Sequence, residues 1–225
     1  KKLPNDKHNL LKLCHYRSPV EIPVVYDLNY ELGYLAGIFV AEGSSSCTYD
    51  SNGNIGNGSI NIACSNTSEY KGDVRNRIVN AITSVFPKAH IRITPRSVIL
   101  NGYLYYKFFA EILNCGRGAR NKRIPDIIFN GNDDVVSGFL HGYFDGDGSF
   151  RVRDHRFTFS TISRELATQL YILLKQLDSQ VSIHSRYNPD QESYIDGRKI
   201  QMNYRSYCIS ARNISIGNFT SPYSK

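Results

Sequence analysis

A chain of 225 residues with 41% hydrophobic content has material for a packed core and room for one large or two small domains. Its five cysteines (Cys14, Cys47, Cys64, Cys115, Cys208) are scattered and include no C-x-x-C pair, which excludes a zinc or disulfide framework and points to a reducing, intracellular setting: cytoplasm or nucleoid, or an organelle matrix in a eukaryote. The net charge is +7, and no signal peptide or membrane-spanning run accompanies it, so a basic chain that avoids membranes and binds a polyanion is the open reading.

Residues 1–25 are a mixed lead-in with Pro4, Pro19 and Pro23 and a possible helical turn near Leu10–Leu13. Tyr30–Ala41 reads as a helix capped by Asn29, with Gly33 and Gly37 four apart and a Glu42-Gly43 end. Ser44–Tyr49 tolerates a strand, Asp50–Gly58 carries the turn signals Asn52-Gly53 and Asn57-Gly58, and Ser59–Ser65 alternates as a strand. Ser68 is the expected cap of a helix whose apolar positions are Val74, Ile78, Ile82 and Val85. Ile91 and Ile93 mark a strand, Asn101-Gly102 signals a hairpin within Val98–Tyr106, and Phe108–Leu113 is a short helix. Gly116–Arg123 is a basic connector, and Pro125 opens another short helix.

The order then repeats. Asp134–Phe144 is a helix with Gly138 and Gly142 four apart, capped by Asp133 or Asp134 and ending in Asp147-Gly148. Strands are expected at Ser149–Asp154 and Arg156–Thr161, a helix capped by Ser163 with Leu166, Leu170, Leu173, Leu174 and Leu177 inside, a strand at Val181–Tyr187, a loop to Gly197, strand over Lys199–Ala211, and a turn at Ile214–Phe219. The two helix-terminal acids are 147 − 42 = 105 residues apart and the two capping serines 163 − 68 = 95, a difference matched by the extra Asp50–Gly58 loop. This is an internal duplication of helix, two strands, helix, two strands, helix.

Glycines at small-xxx-small spacing let two helix backbones approach closely. If the two glycine-bearing helices pack together, Glu42 and Asp147 emerge side by side, and two like charges held together call for a cation.

Leu35-Ala36-Gly37-Ile38-Phe39-Val40-Ala41-Glu42-Gly43 and Leu140-His141-Gly142-Tyr143-Phe144-Asp145-Gly146-Asp147-Gly148 resemble the two motifs of single-chain LAGLIDADG homing endonucleases, and Asn121-Lys122-Arg123-Ile124-Pro125 resembles the Lys-x-Ile-Pro element of intein-associated and some archaeal intron members. The resemblance runs from about Val24 to the C-terminus. It implies an α+β fold: a pseudo-twofold duplication of αββαββα halves, residues 26–125 and 126–225, each with a four-stranded antiparallel DNA-binding sheet and with the motif helices at the interface. It implies a monomeric, site-specific endonuclease that cuts both strands of a double-stranded DNA with a long target site, across the minor groove, with Mg2+; Mn2+ would substitute and Ca2+ would support binding without cleavage. Glu42 and Asp147 would be the catalytic metal ligands, with carbonyls lent by Ala41 and Gly146. Lys122 matches the family's basic active-site residue, and Lys225, 225 − 147 = 78 residues after Asp147, is its candidate counterpart. Asp145, opposite Val40 in motif position, is expected to be structural or capping rather than catalytic.

Outer-face candidates on the sheets are Ser44, Ser46, Asn61, Arg92, Thr94 and Arg96 in the first half, and Arg151, Arg153, Arg186, Arg198 and Arg205 in the second. Through Pro125 the chain has 16 Lys+Arg and 9 Asp+Glu, and beyond it 27 − 16 = 11 and 20 − 9 = 11, so the charge excess sits in the first part. The first motif departs from the pattern in having Glu for Asp and Val40 for the middle Asp. The chain starts at Lys1 and carries no terminal His-Asn followed by a nucleophile, so splicing residues are absent from it and it is expected to be free-standing or cut from an intein. The competing readings are a non-cleaving binder on the same fold, an intron RNA maturase or regulator, and a repeat that forms only a structural pseudo-dimer.

Overall fold

The computed structural model describes residues 12–14, 20–49, 51–53, 55–64, 73–187, 193–195, 198–200, 204–214, 216, 217 and 219. In the lead-in, β1 (Lys12–Cys14) pairs antiparallel with β2 (Glu21–Pro23), so the described end of the expected helical turn is a strand. Then follow α1 (Tyr30–Glu42), β3 (Gly43–Tyr49), β4 (Ile55–Ala63), α2 (Val74–Val85), β5 (Ile91–Thr94) and β6 (Ser97–Asn101). α3 (Tyr103–Lys107) runs on as a π-helical segment, Phe108–Ile112, and a 3-10 turn at Ala119–Asn121 leads to α4 (Asp126–Phe129). The second half comprises α5 (Asp133–Asp147), β7 (Gly148–Arg151), β8 (Arg156–Thr161), α6 (Arg164–Gln176), β9 (Gln180–Arg186), β10 (Ser193–Ile195), β11 (Arg198–Ile200) and β12 (Ser206–Arg212).

The two four-stranded antiparallel sheets have the orders β3-β4-β6-β5 and β7-β8-β12-β9. The duplication extends to register. One cross-strand row reads Gly43, Ile62, Val98, Ile93 in the first sheet and Gly148, Phe159, Ile209, Ile183 in the second. Each sheet buries one face: Ile60, Ile62, Val98 and Leu100 in the first, Phe157, Phe159, Ile209 and Ala211 in the second. Amphipathic helices cover these faces. α2 turns Val74, Ile78, Ala81, Ile82 and Val85 inward against β6 and α1, and α6 turns Leu166, Ala167, Leu170, Leu173 and Leu174 against β8, β12 and β9.

α1 and α5 pack on each other at the centre, and this is where the duplicated glycines act. A Cβ on Gly37 would stand 2.1 Å from Phe139 O and one on Gly142 2.1 Å from Tyr34 O, so the helices touch backbone to backbone. Gly33 and Gly138 repeat the relation one turn earlier, against Val135 O and Tyr30 O. α1 is buried on almost every side, which is why it reads as an apolar run with no polar stripe.

Several local expectations are corrected. Asn132, not Asp133 or Asp134, caps α5, accepting from Val135 N at 3.0 Å. Asp73 caps α2, five residues after Ser68, which lies outside the described residues. The Asn57-Gly58 pair sits inside β4 rather than in a loop: Thr48 Oγ1 accepts from Asn57 N at 2.9 Å, and the α3 backbone leaves no room for a side chain at Gly58, whose Cβ would lie 2.7 Å from Tyr103 Cα. The β5–β6 turn falls at Pro95-Arg96, and Asn101-Gly102 instead joins β6 to α3, with Gly102 at φ 150°. β7 stops at Arg151, where Val152–Asp154 turns as a 3-10 segment and His155 takes φ 46°. The expected loop before Gly197 contains β10, paired with β11, and the expected long strand from Lys199 is divided into β11 and β12.

Candidate active site

Both central helices end at the same edge of the molecule, each passing directly into the first strand of its sheet. A Cβ on Gly146 would lie 2.4 Å from Ala41 Cβ and 2.8 Å from Glu42 Cγ, so the Glu42 stem runs against the residue preceding Asp147. The two predicted carboxylates are therefore neighbours, with Asp147 exposed and Glu42 partly so. Ala41 and Gly146 stand in the last helical turns, where the carbonyl ends carry the negative pole of each helix.

Lys122 is brought to this pair from the connector. The residue is only 6% exposed, and its ammonium donates to Phe39 O at 2.6 Å and Gly43 O at 2.7 Å and lies 4.1 Å from the centre of the Phe39 ring. It thus caps the C-terminal end of α1, the helix that delivers Glu42. Burial pulls its pKa down to about 8, partly offset by Cys115, Asp147 and Glu42. The connector is tied to the second half: Ser163 Oγ donates to Lys122 O at 2.7 Å, and Ile124 N to Gln169 Oε1 at 2.8 Å. A cavity of about 390 Å³ opens here, lined by Ala41, Lys122, Asp147, Ser160 and Thr161 among others. Beneath it Tyr143 donates to Ser160 O at 2.8 Å, and burial followed by Asp147 drives its pKa upward. Lys225 lies outside the described residues.

Among the described residues no group of three or more His, Cys, Asp or Glu side chains forms a metal cage. Two carboxylates beside helix-terminal carbonyls and an open cavity suit a cation that keeps most of its own waters, as magnesium does. Asp145 stands apart from this donor set. Its side chain is 1% exposed and is bound by Arg77 (Nη2 2.8 Å, Nε 2.9 Å) and Tyr34 (2.7 Å), joining α5 to α2 and α1. His141 lies beside it and shares a hydrogen bond with Tyr30. The Asp145 carboxylate is thus spent on a buried ion pair and hydrogen bonds between helices.

On the outer sheet faces, register puts Ser44, Asn61, Ile99 and Arg92 in one exposed-side row, with Ser46 two residues along on the same face. Arg96 is exposed in the β5–β6 turn, and Thr94 spends its hydroxyl inside that turn, on Ser97 and Arg96. In the second sheet Arg151 and Arg186 lie on the outer face. Three expectations there are corrected. Arg153 belongs to the 3-10 turn rather than a strand. Arg205 precedes β12 on the opposite parity, donating to Ser185 Oγ at 3.1 Å and lying over Tyr187. Arg198 is in β11, outside the four-stranded sheet, and its side chain lies outside the described residues. Sequence reasoning missed Arg156, which faces Arg151 across the β7–β8 turn, and Arg212, which faces Arg156 through long-range register.

Residues 134–215 match the LAGLIDADG-like domain family model. Uncharacterized protein MJ1054 of Methanocaldococcus jannaschii is 30% identical over 171 residues, 74% of this chain and 19% of the relative. The ATP-dependent DNA helicase Hel308 of Thermococcus kodakarensis is 35% identical over 176 residues, 75% of this chain and 14% of the relative. This chain therefore spans less than a fifth of the length of either. Among solved structures, I-DmoI in complex with DNA and Ca superposes with a TM-score of 0.56 at 15% identity, covering 83% of this chain and 84% of that one. I-DmoI in complex with DNA and Mn gives 0.54 at 15% identity over 82% and 90%. At that identity the likeness speaks for the fold.

Proposed function

We propose that this chain, whose fold is of the LAGLIDADG homing-endonuclease type, is a site-specific double-strand DNA endonuclease dependent on a divalent cation, Mg2+ first among them. The observation that carries this reading is the meeting of Glu42 and Asp147 at the ends of two fused helices, with the buried Lys122 ammonium behind them. The solved I-DmoI structures with DNA and Ca or Mn are consistent with a metal-dependent reaction on duplex DNA.

A bound divalent cation would activate water and offset phosphate charge, the two needs of phosphodiester hydrolysis at neutral pH. The chain's own groups do the rest. Glu42 and Asp147 hold the cation position, each from its own half. Lys122 fixes the end of α1 and adds positive charge beside the scissile phosphates. The two outer sheet faces hold the two half-sites in the major groove. One monomer thus brings both halves of the reaction.

Curated relatives with unrelated names, a helicase, an RNA polymerase subunit and a DNA polymerase, share only 14%, 17% and 8% of their lengths with this chain. A segment common to such different proteins supports a module that lodges within longer host chains, and we read this chain as such a module. The test is cleavage of a plasmid library in Mg2+ with sequencing of the ends. Glu42→Gln and Asp147→Asn each abolish double-strand cleavage while duplex binding in Ca2+ persists. Parental cleavage by both variants would sink the assignment.

A further inference from the structure

The outer face of the second sheet carries a charged cluster with no counterpart among the described residues of the first. Arg151, Arg156 and Arg212 are consecutive members of one cross-strand row on β7, β8 and β12. All three converge on the carboxylate of Asp154: Arg151 Nε at 2.7 Å and Nη2 at 2.8 Å, Arg156 Nη2 at 2.8 Å, and Arg212 Nη2 at 3.1 Å. The same face holds a concave cavity of about 450 Å³ lined by Arg156, Arg212, Gln180, Ser182, His184 and Ser210, among others. In the first sheet the matching row is Ser46, Ser59 and Asn101, with the two serine hydroxyls bonded to each other at 2.9 Å.

We propose that Arg156 and Arg212, aligned by Asp154, read guanine in the major groove of the half-site held by the second sheet. The inference rests on the DNA-endonuclease reading and adds to it which bases are recognised and by which half. Three guanidiniums around one carboxylate carry a net charge of two. A cluster built only to attract phosphate would be weakened by that carboxylate. A cluster built to aim is improved by it, because an acceptor gripping one edge of a guanidinium fixes the plane in which the remaining N–H groups point. Arginine presents five N–H donors in a rigid fork, and Arg156 and Arg212 each turn only Nη2 toward Asp154. The fork matches guanine O6 and N7 as a bidentate pair, the commonest base-specific contact. Hydrogen bonds from Arg151 pull the Asp154 pKa down to about 2, so the carboxylate is charged at neutral pH. The row lies 151 − 148 = 3 residues along β7 from Gly148, roughly 10 Å at about 3.3 Å per residue. That is about three base-pair steps outward from the acid pair.

The test is selection of bound duplexes from a randomised pool in Ca2+. The parent protein enriches guanine at one or two positions of one half-site only. Arg156→Ala and Arg212→Ala each lose that enrichment, a drop in discrimination of about ten- to a hundredfold, while preferences at other positions persist. Arg212→Lys keeps the charge without the rigid fork, so it weakens the guanine preference yet retains the salt dependence of binding. This variant also guards against a folding defect in the alanine forms, which melting temperature reports. Uniform weakening across all sequences, with base preference unchanged, makes the row a phosphate contact and overturns the inference. A parent that binds duplex DNA with no guanine preference overturns it too and leaves the endonuclease reading standing; a parent that binds no duplex removes both.

Discussion

Lys122 binds the end of a helix instead of reaching toward solvent. Its pKa of about 8 falls below the ordinary lysine value of 10.5 because burial penalises the ammonium. Between those values the unfolded chain binds more protons than the folded one, so this group's contribution to stability rises with pH across that window. Thermal melting in metal-free buffer checks the sign: the melting temperature of the parent relative to Lys122→Met climbs from pH 8 to pH 10. A flat difference would mean that Lys122 titrates normally. For activity, Lys122→Met slows cleavage by roughly 10²- to 10⁴-fold, the range of a lost electrostatic group, with little change in DNA affinity in Ca2+. Because its bonds go to the end of α1, nicked plasmid accumulates as the Glu42-dependent cut lags. Equal slowing of both strands would argue against that division.

At the scale of elements, the α1–α5 contact decides whether the molecule folds. Gly142→Ala places a methyl 2.1 Å from Tyr34 O and 2.7 Å from Ile38 N, and neither backbone atom can give way without parting the helices. The change exceeds ordinary overpacking, so a loss of several kcal/mol is expected, above the roughly 1–3 kcal/mol typical of an extra methylene in a core. Chemical denaturation of Gly142→Ala against Gly53→Ala, where the added Cβ meets nothing within 4 Å but φ is 76°, separates a steric clash from backbone strain. Equal losses at the two positions would show that close approach is not what the helix glycines provide. These elements were the most legible part of the sequence, because glycines four apart followed by an acid occur twice, at matching places in the two halves. The caps were less legible: Asn132 and Asp73 were obscured by other capping-type residues nearby, and only the backbone decides among them.

Across the whole molecule, the duplication could be read to the order of elements but not to register. Arg151 and Arg153 alternate in sequence and suggested one strand face, yet the strand ends between them. Arg156 meets Arg151 across the β7–β8 hairpin, and Arg212 joins the row only because β12 threads between β8 and β9. Net charge misled in the same way, since the excess lies before Pro125 while the arginine row lies on the second sheet. The expected salt response follows exposed arginines outside that row: the slope of log affinity against log salt steepens by about 0.9 for each phosphate neutralised. Fluorescence anisotropy on target duplex then gives a shallower slope for Arg92→Ala with Arg96→Ala than for the parent, and a flat slope in the parent would contradict a groove-filling sheet.

The fused helices leave one dimension of the molecule without any adjustable part. No side chain lies between Gly37 and Phe139 O or between Gly142 and Tyr34 O, so the gap between the two acid-bearing ends behaves like a caliper locked at one opening. In the proposed enzyme that gap sets the stagger between the two cuts. Redesigning either sheet for a new sequence would change where the protein lands on DNA, and the overhang it leaves would keep its length.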